Sequence, residues 1–142
     1  MGDHEKIEKG NEFKFDFKKM RSVFSKVTEG NDVVPVVVQD IESKDVLIVA
    51  YANELALKKT IELGKATFWS TSRNELWTKG LTSGNTLDIV EIRVNCEQNS
   101  FLYLVKIVND GACHVKDDDG KYFKGCYYRR LNLKNPSELE FL

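Results

Sequence analysis

The apolar residues of this chain come in short β-branched and aromatic runs separated by polar turns, and one segment carries a complete helix signature. Such a chain folds mainly as β structure. Residues 33–39 and 46–51 flank the polar turn Glu42-Ser43-Lys44-Asp45 and predict a hairpin, with Pro35 at an edge position or a strand start. Asn53 is placed as a helix cap, Glu54 sits in the first turn, Leu55, Leu57, Ile61 and Leu63 supply apolar positions, and Gly64 ends the helix. Strands are expected over 66–70 and 75–79, joined by Thr71-Ser72-Arg73-Asn74, and over the longer pair 87–95 and 101–108. Segments 113–116 and 122–129 are expected to close the sheet around the turn Asp117-Asp118-Asp119-Gly120, whose acids read as a solvated hairpin tip.

The predicted architecture is α+β and mainly β: an antiparallel sheet curled into a pseudo-barrel with capping helices. Residues 1–30 form an N-terminal extension. Its first eleven residues read as a polar, mobile tail, and Phe13, Phe15 and Phe17 lead to a short helix through Met20, Val23 and Phe24. Residues 31–131 form the domain, and 132–142 form a C-terminal tail with a short helix expected after Pro136. At 142 residues one core suffices.

The formal net charge of -1 gives no field to draw the chain to nucleic acid or to a membrane. The longest apolar runs are too short to span a bilayer, and the charged start MGDHEKIEKG lacks an apolar stretch. A cytoplasmic location is therefore expected.

The chemistry-bearing residues gather in the last third. There are three cysteines, Cys96, Cys113 and Cys126, and two histidines, His114 beside Cys113 and His4 near the start. Three thiolates can hold a zinc ion and leave its fourth position open for water, as a catalytic site requires. The spacing alone leaves buried, inert thiols open as the other reading, because no C-x-x-C pair occurs. If residues 95–99 continue the strand, Asn95, Glu97 and Asn99 share one face and Cys96 takes the other. Gly80 and Gly84 bracket Thr82 and Ser83 and follow Lys79, a loop able to offer N–H groups, hydroxyls and a cation to a phosphate.

Taken in order, the stretches VVVQD, LIVAYAN, GKATFWSTSR, LWTKGLTSGN, EIRVNCEQN, GACH and GCYYRR resemble the phosphoribosyl-AMP cyclohydrolase family, in a monofunctional form without the pyrophosphohydrolase domain. The resemblance implies hydrolytic opening of the N1–C6 bond of 1-(5-phosphoribosyl)-AMP by a zinc-activated hydroxide, the third step of histidine biosynthesis. It implies an intertwined homodimer in which Cys113 and Cys126 bind zinc together with the partner subunit's Cys96. It makes His114 the proton-transfer residue and assigns Arg73, Trp77, Lys79, Thr82, Ser83 and Gly84 to substrate contacts.

The departures from the family pattern are specific. Where the family carries Asp-Cys-Asp-x-Asp and binds magnesium, this chain reads Asn95-Cys96-Glu97-Gln98-Asn99. Amide oxygens have a weaker field than carboxylates, so a magnesium site here is weakened. Thr71 and Leu81 replace an arginine and an acid, and the interval between the last two cysteines is lengthened at the acidic turn. The rival reading is an inactive, zinc-stabilised homologue acting as a binding or structural protein. A nucleotide deaminase is disfavoured, because its His-x-Glu and Pro-Cys-x-x-Cys signature is missing.

Overall fold

A computed structural model describes residues 2–19, 24 and 32–142. The expected helix through Met20, Val23 and Phe24 lies mostly outside the described residues. The elements fully within the described residues are α1 (Asp3–Lys9) and α2 (Glu54–Leu63) and the strands β1 (Val34–Asp40), β2 (Val46–Ala52), β3 (Thr67–Ser70), β4 (Glu75–Thr78), β5 (Leu87–Val94), β6 (Phe101–Ile107), β7 (Arg129–Leu131) and β8 (Leu139–Phe141).

The local elements follow their sequence signals. The β1–β2 hairpin pairs Val36 with Ala50 and Val38 with Ile48, burying Val36 and Val38 on the core face. Pro35 stands at the strand start, before pairing with β6 begins at Val36. The α2 cap forms as predicted: Asn53 Oδ1 accepts from the Ala56 N–H at 2.9 Å, and Gly64 ends the helix at φ 68°. The buried Thr60 hydroxyl accepts from the Thr67 N–H at 3.0 Å, and Thr67 Oγ1 meets Thr78 Oγ1 at 2.9 Å. This chain of hydroxyls ties α2 to the β3–β4 hairpin. Val36, Val38, Leu47, Phe68, Leu87 and Tyr103 form the centre of the core.

The tertiary arrangement departs from the expected antiparallel pseudo-barrel. The main sheet has the order β2-β1-β6-β5, and β1 runs parallel to β6. The long crossover through α2 and the β3–β4 hairpin returns the chain in the same direction, so the pairing it permits is parallel. The sheet stays open, and β3–β4 and β7–β8 are separate two-stranded ribbons.

Segments 113–116 and 122–129 do not close it. They bond to each other instead: Cys113 N–H donates to Phe123 O, Phe123 N–H to Val115 O, and Lys116 bridges Tyr122. The acidic turn is their exposed tip, with Asp117 Oδ1 accepting from the Asp119 and Lys121 N–H groups and Gly120 at φ 80°. No strand continues through 95–99 either. Those residues make the β5–β6 turn, with Gln98 at φ 54°, so the alternation of Cys96 against its neighbours does not apply. The segment after Pro136 forms β8 and not a helix, because its backbone pairs with β7.

Residues 1–11, read from sequence as a tail, contain α1 and are bonded to the far end of the chain. Arg129 Nη1 donates to Gly10 O at 2.8 Å, Leu139 N–H to Asn11 O at 2.6 Å, and Phe13 N–H to Ser137 O at 2.9 Å.

Candidate active site

The β4 strand and the loop after it build one wall of a groove of about 340 Å³, lined by Arg73, Trp77, Lys79, Thr82, Ser83 and His114 among others. Six of the residues singled out from the sequence thus share one concavity. The loop's shape depends on glycine. Gly80 sits at φ 81°, and a Cβ there would lie 2.1 Å from the Asn85 carbonyl carbon. Gly84, at φ 80°, shapes the loop, donates to Gly80 O at 2.8 Å and accepts from Asn109 Nδ2 through its own carbonyl. Thr82 and Ser83 are exposed at the rim, while Lys79 is buried beneath them.

Beside the buried Lys79 lie Cys113 and Cys126, both free thiols and close enough to act on each other's ionisation. The hydrogen bond from the Cys126 thiol pushes Cys113 down to about 6 against the opposing effect of burial. The Val115 N–H, 3.4 Å from Cys113 Sγ, and the charges of His114 and Lys79 add to the shift. The same hydrogen bond, with burial, pushes Cys126 up. Within the pair, ionisation is favoured at Cys113 and opposed at Cys126. Burial pushes the Lys79 ammonium down, and the neighbouring Cys126 and Cys113 oppose that shift.

His114 is exposed at the groove, its Nε2 3.5 Å from Glu8 Oε2. Glu8 is the residue that sequence reasoning missed. The His4–Glu8 spacing signals a helical face, but no local pattern signals that this face meets His114.

The remaining predicted ligands stand apart from the thiol pair. Cys96, Asn95, Glu97 and Asn99 lie in the exposed β5–β6 turn. Among the described residues no three His, Cys, Asp or Glu side chains gather into a metal-holding group. Two thiols of which one ionises readily are a donor set that suits a soft metal such as zinc, as part of a larger set. The β5–β6 turn does not suit magnesium. Asn95 Nδ2 donates to Asn99 Oδ1 at 2.6 Å, and Asn95 Oδ1 accepts from the Asn99 and Ser100 N–H groups at 2.9 Å. These oxygens are occupied by N–H donors, whereas magnesium needs several free oxygens at near-octahedral geometry.

Fold and site together define a small enzyme domain with an imidazole in a polar groove and a thiol pair beside the groove's buried lysine. The chain belongs to the phosphoribosyl-AMP cyclohydrolase family, whose model matches residues 48–128. Proteins named phosphoribosyl-AMP cyclohydrolase include one from Archaeoglobus fulgidus, 48% identical over 99 residues, covering 70% of this chain and 85% of that protein. One from Methanosarcina mazei is 44% identical over 109 residues, covering 77% of this chain and 85% of that protein. One from Hyphomonas neptunium is 43% identical over 101 residues, covering 71% and 72%. The family-model match begins at residue 48, so the whole N-terminal extension lies outside it.

Proposed function

We propose that this chain hydrolyses the N1–C6 bond of 1-(5-phosphoribosyl)-AMP, the ring-opening step of histidine biosynthesis. The observation that carries the reading is a groove on which His114 and Lys79 meet Arg73, Thr82 and Ser83, with the Cys113–Cys126 pair near enough to act on the Lys79 charge.

Water adds to C6 of the adenine ring. The N1–C6 bond breaks, C6 keeps its exocyclic nitrogen as a carboxamide, and N1 takes up the proton. No ammonia leaves. Cys113 and Cys126 would hold a zinc ion, with the partner subunit's Cys96 as third ligand, in a homodimer. When bound, zinc supplies Lewis acidity that makes water a competent nucleophile near neutral pH. His114 takes the proton from the attacking water and returns it to N1, as an imidazole placed at the reacting atoms can.

Arg73, Thr82, Ser83 and the loop N–H groups bind phosphate and ribose oxygens. Trp77 offers an aromatic face for the base. Lys79 offsets the negative charge of the thiolates. The two amides of the β5–β6 turn support a loop that holds its shape without magnesium. The family's chemistry supports a cytoplasmic location, and no described helix is long and apolar enough to cross a membrane.

The test is ultraviolet-monitored conversion of phosphoribosyl-AMP by zinc-loaded protein, with ammonia assayed in parallel. Ring opening without ammonia is expected. Zinc-loaded, folded protein without turnover would support the inactive homologue instead.

A further inference from the structure

The N-terminal segment reaches the site, lining a cavity with Cys126 through Ile7, Phe13 and Phe15. Tyr128, two residues beyond Cys126, donates its hydroxyl to the Glu8 carbonyl and stacks on Phe123 at 3.9 Å. Arg129 holds the Gly10 carbonyl at 2.8 Å. The segment that carries Cys126 therefore also anchors α1, and the anchored helix brings Glu8 to His114. Glu8 Oε2 lies 3.5 Å from His114 Nε2, and Glu8 Oε1 lies 3.3 Å from His4 Nδ1. The His114 side chain is 75% exposed, so packing alone does not fix its ring, and Glu8 is its only acidic partner among the described residues.

We propose that Glu8, supplied by a segment outside the family-matched region, is a positioning residue that holds the His114 imidazole in its working orientation. The carboxylate accepts from Nε2–H and leaves Nδ1 as the nitrogen that exchanges the proton. A carboxylate behind a working histidine fixes both its tautomer and its ring plane. The N-terminal extension is on this account part of the catalytic apparatus. The inference rests on the proton-transfer role of His114 proposed above.

The experiment uses the full-length, zinc-loaded protein and its Glu8→Ala, Glu8→Gln and Glu8→Asp variants, with Glu5→Ala as a control on the same helix. Glu8→Ala is expected to lower kcat by about three- to tenfold with KM changed by less than about twofold, and Glu8→Asp to recover part of the loss. Zinc content and melting temperature should match the parent. A kcat unchanged in Glu8→Ala overturns the proposal, as does an equal loss in Glu5→Ala.

A second readout does not depend on turnover: the ¹⁵N spectrum of the His114 ring, assigned in a His4→Gln background. One tautomer is expected with Glu8 and an averaged signal with Glu8→Ala. An identical spectrum in both overturns the proposal, even where the parent itself proves inactive and the functional reading fails.

Discussion

The backbone N–H of Cys126 donates to the carbonyl of Leu47 at 2.7 Å, and Leu47 is the extra residue of a bulge in β2, between the pairs Val38–Ile48 and Gln39–Val46. A bulge frees a carbonyl from the ladder and turns it outward. Here that carbonyl fixes one member of the thiol pair to the main sheet. The site's precision is thus set from β2, far from Cys126 in sequence.

Gly125 makes this contact sensitive to volume. A Cβ at Gly125 would lie 3.1 Å from both the Leu47 Cα and its carbonyl oxygen. Gly125→Ala should cost about 1–2 kcal/mol through overpacking, and push Cys126 away from Cys113. Thermal unfolding measures the first effect. A lower zinc affinity, read by competition with a chromogenic chelator, measures the second.

Gly80→Ala should be harsher. The site combines φ 81° with a Cβ position 2.1 Å from the Asn85 carbonyl carbon, and Asn85 is itself buried. Backbone must move, so about 2 kcal/mol or more of stability is lost. The Thr82–Ser83 rim moves with it, and KM for phosphoribosyl-AMP should rise by about tenfold or more. Steady-state kinetics at a temperature where the variant remains folded checks this.

The amide clasp of the β5–β6 turn carries its own expectation. Replacing both Asn95 and Asn99 with Asp removes the 2.6 Å amide–amide bond and sets two carboxylates side by side. The parent should bind no Mn²⁺, used as a magnesium probe, in electron paramagnetic resonance titration at millimolar concentration. The double variant should gain binding and lose stability when divalent cations are withheld.

What the sequence made legible was local. The α2 caps at Asn53 and Gly64 and the β3–β4 and β5–β6 hairpins all rest on neighbours within a few residues. The parallel β1–β6 pairing has no local signature, since Val36 meets Phe101 across the whole crossover. Alternating polarity in Asn95-Cys96-Glu97 mimics a strand, but Asn95 Oδ1 gathers the Asn99 and Ser100 amides into a turn, a competition typical of Asn. The placement of Glu8 depends on Tyr128 and Arg129, about 120 residues away. The six groove residues were nameable because their motif is contiguous, apart from His114 beside its cysteine.

Lys124 clamps the segment before Cys126 to the β1–β2 turn, 3.1 Å from Asp40 and 2.9 Å from Asp45. Burial would raise the Asp40 carboxyl, yet the Ser43 hydroxyl, the Glu42 N–H and Lys124 together hold it below its ordinary value of 3.8. A depressed carboxyl stabilises the fold above its unfolded pKa and loses that contribution as pH falls through the folded value. The parent should therefore lose stability below about pH 4, where Asp40 takes up its proton. Lys124→Met should cost about 1 kcal/mol at pH 7 and show a shallower acid dependence, both read from urea unfolding between pH 3 and pH 7.

The thiol geometry makes the subunit arrangement testable without a structure of the dimer. Cys113 and Cys126 pair within one chain, whereas Cys96 sits on the exposed β5–β6 turn and joins no metal-holding group there. If a second copy supplies Cys96, then Cys96→Ala and Cys113→Ala should each abolish turnover alone. Mixed by unfolding and refolding together, they should recover about a quarter of parental activity. Half of the random dimers would be hybrids, and each hybrid would own one site with all three cysteines intact. Recovery to that level, with a dimer in sedimentation velocity, is the expected result. No recovery despite hybrid dimers, identified by native mass spectrometry, would place all three ligands on one chain and require the β5–β6 turn to fold onto its own thiol pair.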